Sequence, residues 1–441
     1  MYSRSLFVFD FVRRFFVSCA QISEAYTVCT LMKFGCNRQK IGHKSKVQER
    51  LQEYIIQKRR NVMSRRQSWN TILVFCILIF GMTIATMLKP STEFSETENR
   101  SLAQKPSFSI KTLLNGEFES DYESYLNDQF VLRDQWISLK TKAERAAFKT
   151  ESKDIYFADD DYLIEKHTGS FTSDTAKQNI RVLQQFIETY EPQFGAEHMS
   201  VMIVPNAVDI LRDKLPALAS PYDEELYLNQ VAGVMPSGVW FDSASVLRSH
   251  LGEDLYYRTD HHWKTGAAFD VYQEWAAVKN LTVPSAQDYQ IETVTDSFEG
   301  TIQSKLGIHT VKDTIELYQP VEDLFYTVQM DGSDEVSYSI YDRTALDTKN
   351  KYGVYFGGNH ALVKLHTRNT NGRKILIIKD SYAHCFAPFL LTDFAEVDLL
   401  DIRYYNQKVS DLIAQGGYTD FLFLYNAAGF AEDTSIARLI S

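Results

Sequence analysis

One long apolar run stands out from the pattern of hydrophobic and polar positions along the chain. It extends from Trp69 to Leu88 and holds 20 residues, none of them charged and most of them aliphatic. An α-helix rises about 1.5 Å per residue, so this run would be roughly 30 Å long, which is the thickness of the hydrocarbon core of a bilayer. The core helices of soluble proteins rarely extend this far without a charge. The pattern therefore predicts a transmembrane helix over residues 69–88.

The charges on either side of the run predict its orientation. Only Lys89 follows it closely, whereas five basic residues precede it: Lys58, Arg59, Arg60, Arg65 and Arg66. Basic residues favour the cytoplasmic side of a membrane helix. The run ends in Ala85-Thr86-Met87, a poor cleavage site for a secretory signal. We therefore expect an uncleaved, single-pass signal-anchor in the cell membrane, with residues 1–68 inside and the C-terminal part outside.

Residues 89–150 have the pattern of a stalk followed by a helical lead-in. The chain is polar from Lys89 to about Lys111, and apolar residues then recur at mostly three- and four-residue steps between Phe118 and Phe148. This spacing places them on one face of a helix. Asp128-Gln129-Phe130 interrupts the pattern, so we expect two helices.

In residues 151–441, short apolar runs alternate with helical stretches. Short apolar runs occupy residues 201–204, 375–378 and 421–425, and a fourth, at 397–400, is interrupted by Asp398. Such strands, separated by helices, indicate a mainly parallel sheet covered on both faces, the doubly wound α/β class. Residues 290–370 break this rhythm with β-type segments at Tyr338–Tyr341 and Val354–Phe356. We interpret them as a β-rich insertion between two halves of the sheet.

The charge of the chain is unevenly distributed. In total 46 Lys and Arg oppose 57 Asp and Glu, and the net charge of -11 argues against a nucleic-acid partner. Residues 1–66 carry 14 basic and 4 acidic residues, a net of +10, and the remainder carries 32 and 53, a net of -21. Two compartments would explain the split. Met63 directly precedes the basic flank, so residues 1–62 have the features of an over-extended start.

Cysteine usage agrees with this topology. Only Cys385 lies beyond the predicted span, and the other four lie before or within it: Cys19, Cys29, Cys36 and Cys76. A lone outer cysteine cannot form an intrachain disulfide, and no cysteine spacing typical of a metal site is present. The outer domain must therefore be stabilised by its core.

Three candidate side chains follow predicted strands, where ligands bind in open parallel sheets. Ser381 follows the run 375–378 at a strand-to-helix turn, where free N–H groups favour an oxyanion, although a serine there is also a common helix N-cap. Asn426 follows the run 421–425 and could donate to an oxyanion or merely form a turn. Arg403 follows the run 397–400 and could bind a polar substrate or form a surface ion pair.

The segment Thr259-Asp260-His261-His262-Trp263 holds two of the ten histidines of the chain. In an extended chain, Asp260 and His262 lie on the same side, so the carboxylate could orient the imidazole as a base. Metal ligation by Asp260, His261 and His262 is a second interpretation, and a structural turn is a third. The residues alone leave the three open.

This segment resembles the signature of the DHHW protein family of Gram-positive bacteria. More distantly, the chain is similar to the AlgJ/AlgX-type SGNH hydrolase-like proteins, the alginate O-acetyltransferases. The resemblance covers about residues 90–441 and also includes Phe94–Arg100, Tyr125–Arg133 and Lys379-Asp380-Ser381-Tyr382. It departs from ordinary SGNH hydrolases in two respects: Lys379 stands where they have a glycine, and the Asp-x-His element precedes the serine.

The resemblance implies an SGNH-hydrolase-like fold and a Ser-His-Asp triad. Ser381 matches the nucleophile, His262 the base and Asp260 its orienting partner. Asn426 matches the oxyanion asparagine less closely, and Arg403 is a candidate for substrate contact. His261 and His384 are alternative bases. No metal and no cofactor are implied.

The function implied is that of an O-acetyltransferase or acetylesterase acting on cell-wall or secreted polysaccharide outside the cell. A membrane-bound O-acyltransferase could supply the acyl group across the bilayer. The alternative is a catalytically silent surface protein that binds glycan in the same cleft, and a metal-dependent hydrolase is a third hypothesis.

Overall fold

The computed structural model describes residues 65–95, 100–322 and 324–440. The chain divides into two units, Met1–Met87 and Leu88–Ser441. The first contains most of helix α1, Arg65–Leu88. Within α1 the 20 residues Trp69–Leu88 have a mean hydropathy of 2.5, so this helix is long and apolar enough to cross a membrane. The expected over-extension of residues 1–62 lies outside the described residues.

The second unit begins with a short antiparallel pair and three helices. Their bounds are β1 Phe94–Ser95, β2 Arg100–Ser101, α2 Ile110–Leu114, α3 Glu117–Gln129 and α4 Arg133–Ala146. The two helices predicted from the apolar spacing are α3 and α4. They are separated where Leu132 adopts a left-handed backbone (φ 56°). The carboxylate of Asp128, at the end of α3, accepts two hydrogen bonds from Arg100, at 2.8 and 2.6 Å, and fastens the stalk to these helices.

A six-stranded mixed sheet forms the centre of the unit, in the order β6-β13-β11-β12-β10-β9. Its strands are β6 Met199–Val204, β9 Tyr326–Met330, β10 Leu362–Thr367, β11 Lys374–Lys379, β12 Glu396–Leu400 and β13 Asp420–Asn426. The first four strands in the sheet order are parallel. At one edge, β10 pairs antiparallel with β12, and β9 pairs antiparallel with β10. The four parallel strands coincide with the four apolar runs of the sequence, because a strand covered on both faces is apolar at most positions. Buried Ser200 and Asp398 are exceptions.

Both faces of the sheet are covered, as β11 shows residue by residue. Ile375 and Ile377 pack into one hydrophobic core, and Leu376 and Ile378 pack into the other. Helices on the first face include α8 Ser243–Ser249, α9 Thr265–Val278 and α11 Ala383–Phe386. Helices on the second face are α5 Asp174–Phe194, α7 Glu224–Gly233, α12 Val409–Gly416 and α13 Ala427–Glu432. The remaining elements are β3 Glu151–Ser152, β4 Ile155–Phe157, β5 Leu163–Glu165, α6 Ala207–Ile210, β7 Tyr289–Phe298, α10 Thr301–Leu306 and β8 Asp313–Pro320.

Residues 290–370 differ in detail from the expectation of an insertion between two halves of the sheet. The antiparallel pair β7–β8 is separate from the central sheet, whereas β9 and β10 extend its edge. The segments Tyr338–Tyr341 and Val354–Phe356, which the sequence pattern predicted as strands, form only isolated bridges. Val354–Phe356 is apolar because it is buried in the core, and burial of an aromatic segment produces the same pattern as a strand.

Candidate active site

The site lies where three parallel strands end at one edge of the sheet. β11 ends at Lys379 and leads into Asp380 and Ser381, β13 ends at Asn426, and β6 is followed by Asn206. These strands are neighbours, and the backbone N–H of Asp380 donates to the carbonyl of Leu424 at 3.2 Å. Because their carboxyl ends meet at one edge, polar side chains from distant parts of the sequence are brought together.

The second part of the site is the loop Thr259–Trp263, which is closed by an antiparallel bridge between Tyr256 and Trp263. The buried carboxylate of Asp313 holds its beginning. It accepts from the backbone N–H of Arg258 and of Thr259, each at 2.9 Å, and from the Thr259 hydroxyl at 2.7 Å. The sequence pattern did not single out Asp313, because a lone aspartate at the start of β8 carries no motif.

Two reciprocal hydrogen bonds join this loop to the turn that carries Ser381. The indole N–H of Trp263 donates to the carbonyl of Tyr382 at 2.9 Å, and the hydroxyl of Tyr382 donates to the carbonyl of His261. The rings of Trp263 and Tyr382 also stack, with centroids 5.7 Å apart. Both side chains are fully buried, so the loop and the turn are held in a fixed relation.

Ser381, His262 and Asp260 form a continuous chain of hydrogen bonds. Oγ of Ser381 lies 2.7 Å from Nε2 of His262, and Nδ1 of His262 lies 2.5 Å from Oδ1 of Asp260. The same Oδ1 accepts from the backbone N–H of His262 at 3.1 Å. Since a carboxylate only accepts, Nδ1 of His262 carries the proton, and Nε2 has a lone pair for the serine hydroxyl.

The surroundings favour the charged form of Asp260. Asp260 and His262 are buried, whereas Ser381 is half-buried. Burial alone would raise the pKa of Asp260, but the two histidines and the backbone N–H of Thr301 outweigh it, and the pKa lies well below its ordinary value. The ring of Tyr352 stacks on that of His262 with centroids 3.8 Å apart and fixes its plane.

Gly300 and Thr301, which the sequence analysis did not single out, complete the environment of Asp260. Oδ2 of Asp260 accepts from the backbone N–H of Thr301 at 2.8 Å and from its hydroxyl at 3.0 Å. Gly300 packs so closely that a Cβ atom there would lie 2.6 Å from Cα of Asp260. Any side chain at position 300 would therefore displace the carboxylate. Neither residue belongs to a motif, and no signal in the sequence distinguishes this glycine from the other 19.

His261, an alternative base in the sequence analysis, makes different contacts. Its Nδ1 lies 3.0 Å from the hydroxyl oxygen of Thr301. Its ring lies beside that of His262, with centroids 4.0 Å apart. Burial lowers the pKa of His261 to about 4 and the neighbouring His262 acts in the same direction, so the ring is neutral at pH 7. The hydroxyl of Ser381 is bonded to His262.

Asp380 and Asn426 form a hydrogen-bonded pair beside the serine. Oδ2 of Asp380 accepts from the backbone N–H and the side-chain amide of Asn426, at 2.8 and 2.6 Å, and Oδ1 accepts from the N–H of Tyr382 at 2.8 Å. The side-chain oxygen of Asn426 caps α13 by accepting from Gly429 at 2.8 Å. A Cβ at Gly429 would lie 2.5 Å from Nδ2 of Asn426, so this pair, like Asp260, is packed against a glycine.

Behind the turn lies a buried cluster of Lys379, His384 and Asp401, which the partly exposed side chain of Arg403 joins. Nζ of Lys379 lies 2.8 Å from Nε2 of His384 and 3.4 Å from Oδ2 of Asp401. Arg403 donates to both oxygens of Asp401, at 2.8 and 2.6 Å. Burial lowers the pKa of Lys379 and, helped by Lys379, holds the pKa of His384 well below its ordinary range. Nε2 of His384 is therefore engaged by Lys379.

Cys385 follows His384 and is completely buried in the core. Burial raises the pKa of its thiol to about 12, and its Sγ lies 3.7 Å from the carbonyl of Tyr382. It takes no part in the hydrogen-bonded chain at Ser381.

Asp260, His261 and His262 also offer ligand atoms within 4.8 Å of one another, the arrangement considered in the metal hypothesis. Those atoms already form hydrogen bonds: Nε2 of His262 with Ser381, and both oxygens of Asp260 with His262 and Thr301. A metal ion at this place would have to replace these bonds, so the donor set suits a serine chain better than a metal site.

Comparison with known proteins agrees with the architecture. No curated protein matches the chain in sequence. A DHHW family protein from Eubacterium siraeum has a similar fold (TM-score 0.51, 24% identity over 65% of this chain and 95% of that one). So has Bacillus cereus PatB1 (TM-score 0.54, 20% identity, 63% and 97%), of which a structure with a sulfonyl adduct is also matched. The O-acetyltransferase domain of Pseudomonas putida AlgJ is more distant (TM-score 0.39, 12% identity, 65% and 98%).

The sequence itself matches the family model described as DHHW protein, over residues 172–400. This range is slightly more than half of the 441 residues, and it contains the loop Thr259–Trp263 and the turn at Ser381. The chain belongs to the DHHW protein family.

Proposed function

We propose that this chain is a membrane-anchored acyl-transfer enzyme in which Ser381 is the nucleophile, His262 the general base and Asp260 the residue that orients the base. The observation that carries the proposal is the pair of contacts made by His262, 2.7 Å to Ser381 and 2.5 Å to Asp260. Both lie in or near the range in which proton transfer through a hydrogen bond is efficient. A purely structural serine at this turn would need no imidazole lone pair directed at its hydroxyl.

In the proposed reaction, Oγ of Ser381 attacks the carbonyl carbon of an ester while Nε2 of His262 takes the hydroxyl proton. The bond from the acyl carbon to the leaving oxygen breaks, and the imidazolium returns its proton to that oxygen. The resulting acyl-serine is resolved when a hydroxyl group gives its proton to His262 and attacks the acyl carbon. Asp260 stabilises the transient imidazolium. Water as the acceptor makes the enzyme an esterase, and a sugar hydroxyl makes it a transferase.

The oxyanion of the tetrahedral intermediate needs donors near Ser381. We propose the side-chain amide of Asn426 as one of them, because Asp380 accepts one of its two N–H groups and the other is left for the substrate. Arg403 uses Nε and one Nη on Asp401, and its second Nη could contact a polar substrate. The choice of an acetyl group and of an extracellular polysaccharide rests on the resemblance to the DHHW and AlgJ-type proteins.

The membrane topology belongs to the same proposal. The helix Trp69–Leu88 would cross the bilayer with the basic residues before it inside, which leaves residues 89–441 outside with the polysaccharide. A membrane-bound O-acyltransferase is a suitable acyl donor, because activated acyl groups are made inside the cell. We propose no metal or other cofactor for this reaction.

The test is hydrolysis of a chromogenic acetate ester by the full chain in detergent, compared with Ser381→Ala and with the matched control Ser220→Ala, an exposed serine in a loop. We expect a burst of released chromophore that Ser381→Ala abolishes, that Ser220→Ala retains, and that a chelator leaves unchanged. A sulfonyl fluoride should modify Ser381 and stop the reaction. Activity that survives Ser381→Ala, or disappears with the chelator, would refute the serine mechanism.

A further inference from the structure

The hydrogen bonds around Asp260 determine which nitrogen of His261 carries the proton. Asp260 is a carboxylate and only accepts, so the single proton of the Thr301 hydroxyl is used on Oδ2 of Asp260, at 3.0 Å. The contact of 3.0 Å between that hydroxyl oxygen and Nδ1 of His261 then requires the histidine to donate. Nδ1 of His261 therefore carries the proton, and its Nε2 has a free lone pair.

The two histidine rings point the same way. Nδ1 of His262 lies 2.5 Å from Oδ1 of Asp260, and Nδ1 of His261 lies 3.6 Å from the same atom. The rings are side by side, with centroids 4.0 Å apart and planes 35° apart. Their Nε2 atoms therefore both lie on the side away from Asp260. For His262 that is the side of the Ser381 hydroxyl, so Nε2 of His261 faces the same cleft.

Nε2 of His261 is open to a ligand. Within the part of the chain that the structure describes, this atom has no hydrogen-bond partner. It is also accessible to solvent, because the buried polar atoms without a partner do not include it. The side chain of His261 is 32% exposed, compared with 7% for that of His262. Glu165 and Lys305, which form an ion pair of 2.5 Å, act electrostatically on His261. The surroundings of His261 are therefore polar and suit a hydroxylated ligand.

We propose that Nε2 of His261 accepts a hydrogen bond from a second hydroxyl group of the acyl acceptor, adjacent to the hydroxyl that attacks the acyl-serine. This inference rests on the proposed function and deepens it, because it specifies the acceptor as a vicinal diol such as a sugar ring. The attacking hydroxyl gives its proton to Nε2 of His262 and forms the new ester bond, while the bond to Ser381 breaks and Oγ recovers the proton. The neighbouring hydroxyl stays intact and donates to His261.

Two side-by-side imidazoles with lone pairs on the same side match two neighbouring hydroxyl groups. Water and a simple alcohol can use only one of the two acceptors, so they gain less from the site. His261 is in this account a positioning residue for the acceptor. It does not contact the hydroxyl of Ser381, so its removal should change mainly the fate of the acyl group and affect the first step less.

The experiment measures both steps with the full chain in detergent. A chromogenic acetate ester forms the acyl-enzyme, and its burst rate reports the first step. Ethylene glycol and ethanol, at equal concentrations, then compete with water, and the ratio of glycol monoacetate to ethyl acetate reports the second step. We expect the wild-type protein to favour glycol about 2- to 12-fold beyond the statistical factor of its two hydroxyls, as one hydrogen bond allows.

In His261→Phe we expect this preference to fall to about 1. The burst rate should fall less than tenfold, because His261 also helps to hold Asp260 in its charged form. His261→Gln, whose side-chain oxygen can accept a hydrogen bond, should recover part of the preference. The control His309→Phe removes an exposed histidine paired with Glu299 and should change neither step.

If the preference for glycol persists in His261→Phe, the inference about His261 is wrong. If the burst also persists in that variant, the proposed function still stands. A burst that falls more than tenfold in both His261 variants would also overturn the inference about His261, because the residue would then hold the site together. If the wild-type protein shows no burst with any acceptor, the proposed function itself fails.

Discussion

The two sides of Ser381 are built in opposite ways. On one side, the loop Thr259–Trp263 presents Asp260 and His262 with their proton positions assigned and one lone pair directed at the serine. On the other side, Asp380 and Asn426 satisfy each other. Both sides hold a buried carboxylate against a glycine. The comparison teaches that burial of charge alone does not identify a reactive group. What distinguishes the first side is a hydrogen-bond chain that ends on the Ser381 hydroxyl.

The carboxylates also differ in their electrostatics. Burial would raise the pKa of both, but for Asp260 two histidines and Thr301 lower it below its ordinary value. For Asp380 the hydrogen bonds of Asn426 and Tyr382 and the charge of Arg403 only partly offset burial, and the pKa remains raised. We therefore expect substitutions on the histidine side to act mainly on rate, and those on the asparagine side mainly on stability.

The largest effect is expected from Asp260→Asn. An asparagine oxygen can still accept from His262, but it carries no charge to stabilise the imidazolium. Its NH2 group would face the backbone N–H of Thr301, so that two donors meet. We expect the burst rate with the acetate ester to fall roughly 10³–10⁴-fold, with little change in thermal stability. Thr301→Val, which removes one hydrogen bond to the same carboxylate, should have a smaller effect. A rate unaffected by Asp260→Asn would remove the distinction between the two sides.

Asp380→Ala should show the opposite balance. It leaves the N–H groups of Asn426 and Tyr382 without their acceptor in a buried place. We expect the free energy of unfolding, measured by urea denaturation, to fall by about 2–4 kcal/mol. Asp380→Asn keeps one of the two acceptor oxygens and should lose less. Equal losses for the two variants would mean that the hydrogen bonds are not the cause.

Glu224 is a buried carboxyl group that should make the free energy of unfolding depend on pH. It is completely buried, accepts from the backbone N–H of Asn206 at 2.7 Å, and its second oxygen has no partner. Burial raises its pKa to about 8 from the ordinary 4.5. Between these values the folded state holds a proton that the unfolded chain has released, so stability falls as pH rises through this window and is constant above it.

Glu224→Gln should remove this dependence. We expect its free energy of unfolding relative to wild type to rise by about 1–3 kcal/mol between pH 4.5 and pH 8, as measured by urea denaturation at both values. Glu225→Gln, at the next position and exposed, is the matched control and should show no such change. If the difference in free energy of unfolding between Glu224→Gln and wild type does not change with pH, Glu224 is not the group that holds the proton.

The smallest effect is expected from Lys379→Met. The substitution removes a buried charge, but Asp401 keeps both hydrogen bonds from Arg403, and methionine fills a similar volume. The free energy of unfolding should change by less than about 1 kcal/mol. Arg403→Met, in contrast, removes both short side-chain hydrogen bonds and leaves Asp401 with the longer contact to Lys379 and the backbone N–H of residue 403, at 3.4 and 3.2 Å, so it should be clearly more destabilising. The pair of variants shows which cation stabilises Asp401.

The sequence predicted the histidine side better than the asparagine side. Asp260 and His262 are two residues apart, so local chain geometry alone brings them together, and the position of Ser381 follows from its strand end. Gly300, Thr301 and Asp313 could not be predicted, because their contacts depend on how the β7–β8 region folds over the loop. The cluster of Lys379, His384 and Asp401 is also assembled by the fold. The parallel strands were predictable because short, largely apolar runs have few alternatives, whereas Val354–Phe356 shows that aromatic burial produces the same pattern.

Cys385 has a practical consequence for chemical labelling. It is the only cysteine after the apolar helix, and its thiol is fully buried and held protonated. Since alkylating reagents react with exposed thiolates, the native part after the apolar helix should hardly react with them. A single cysteine introduced on its surface would then accept a fluorophore or spin label selectively. Reaction of Cys385 itself would report the opening of the core beneath Ser381.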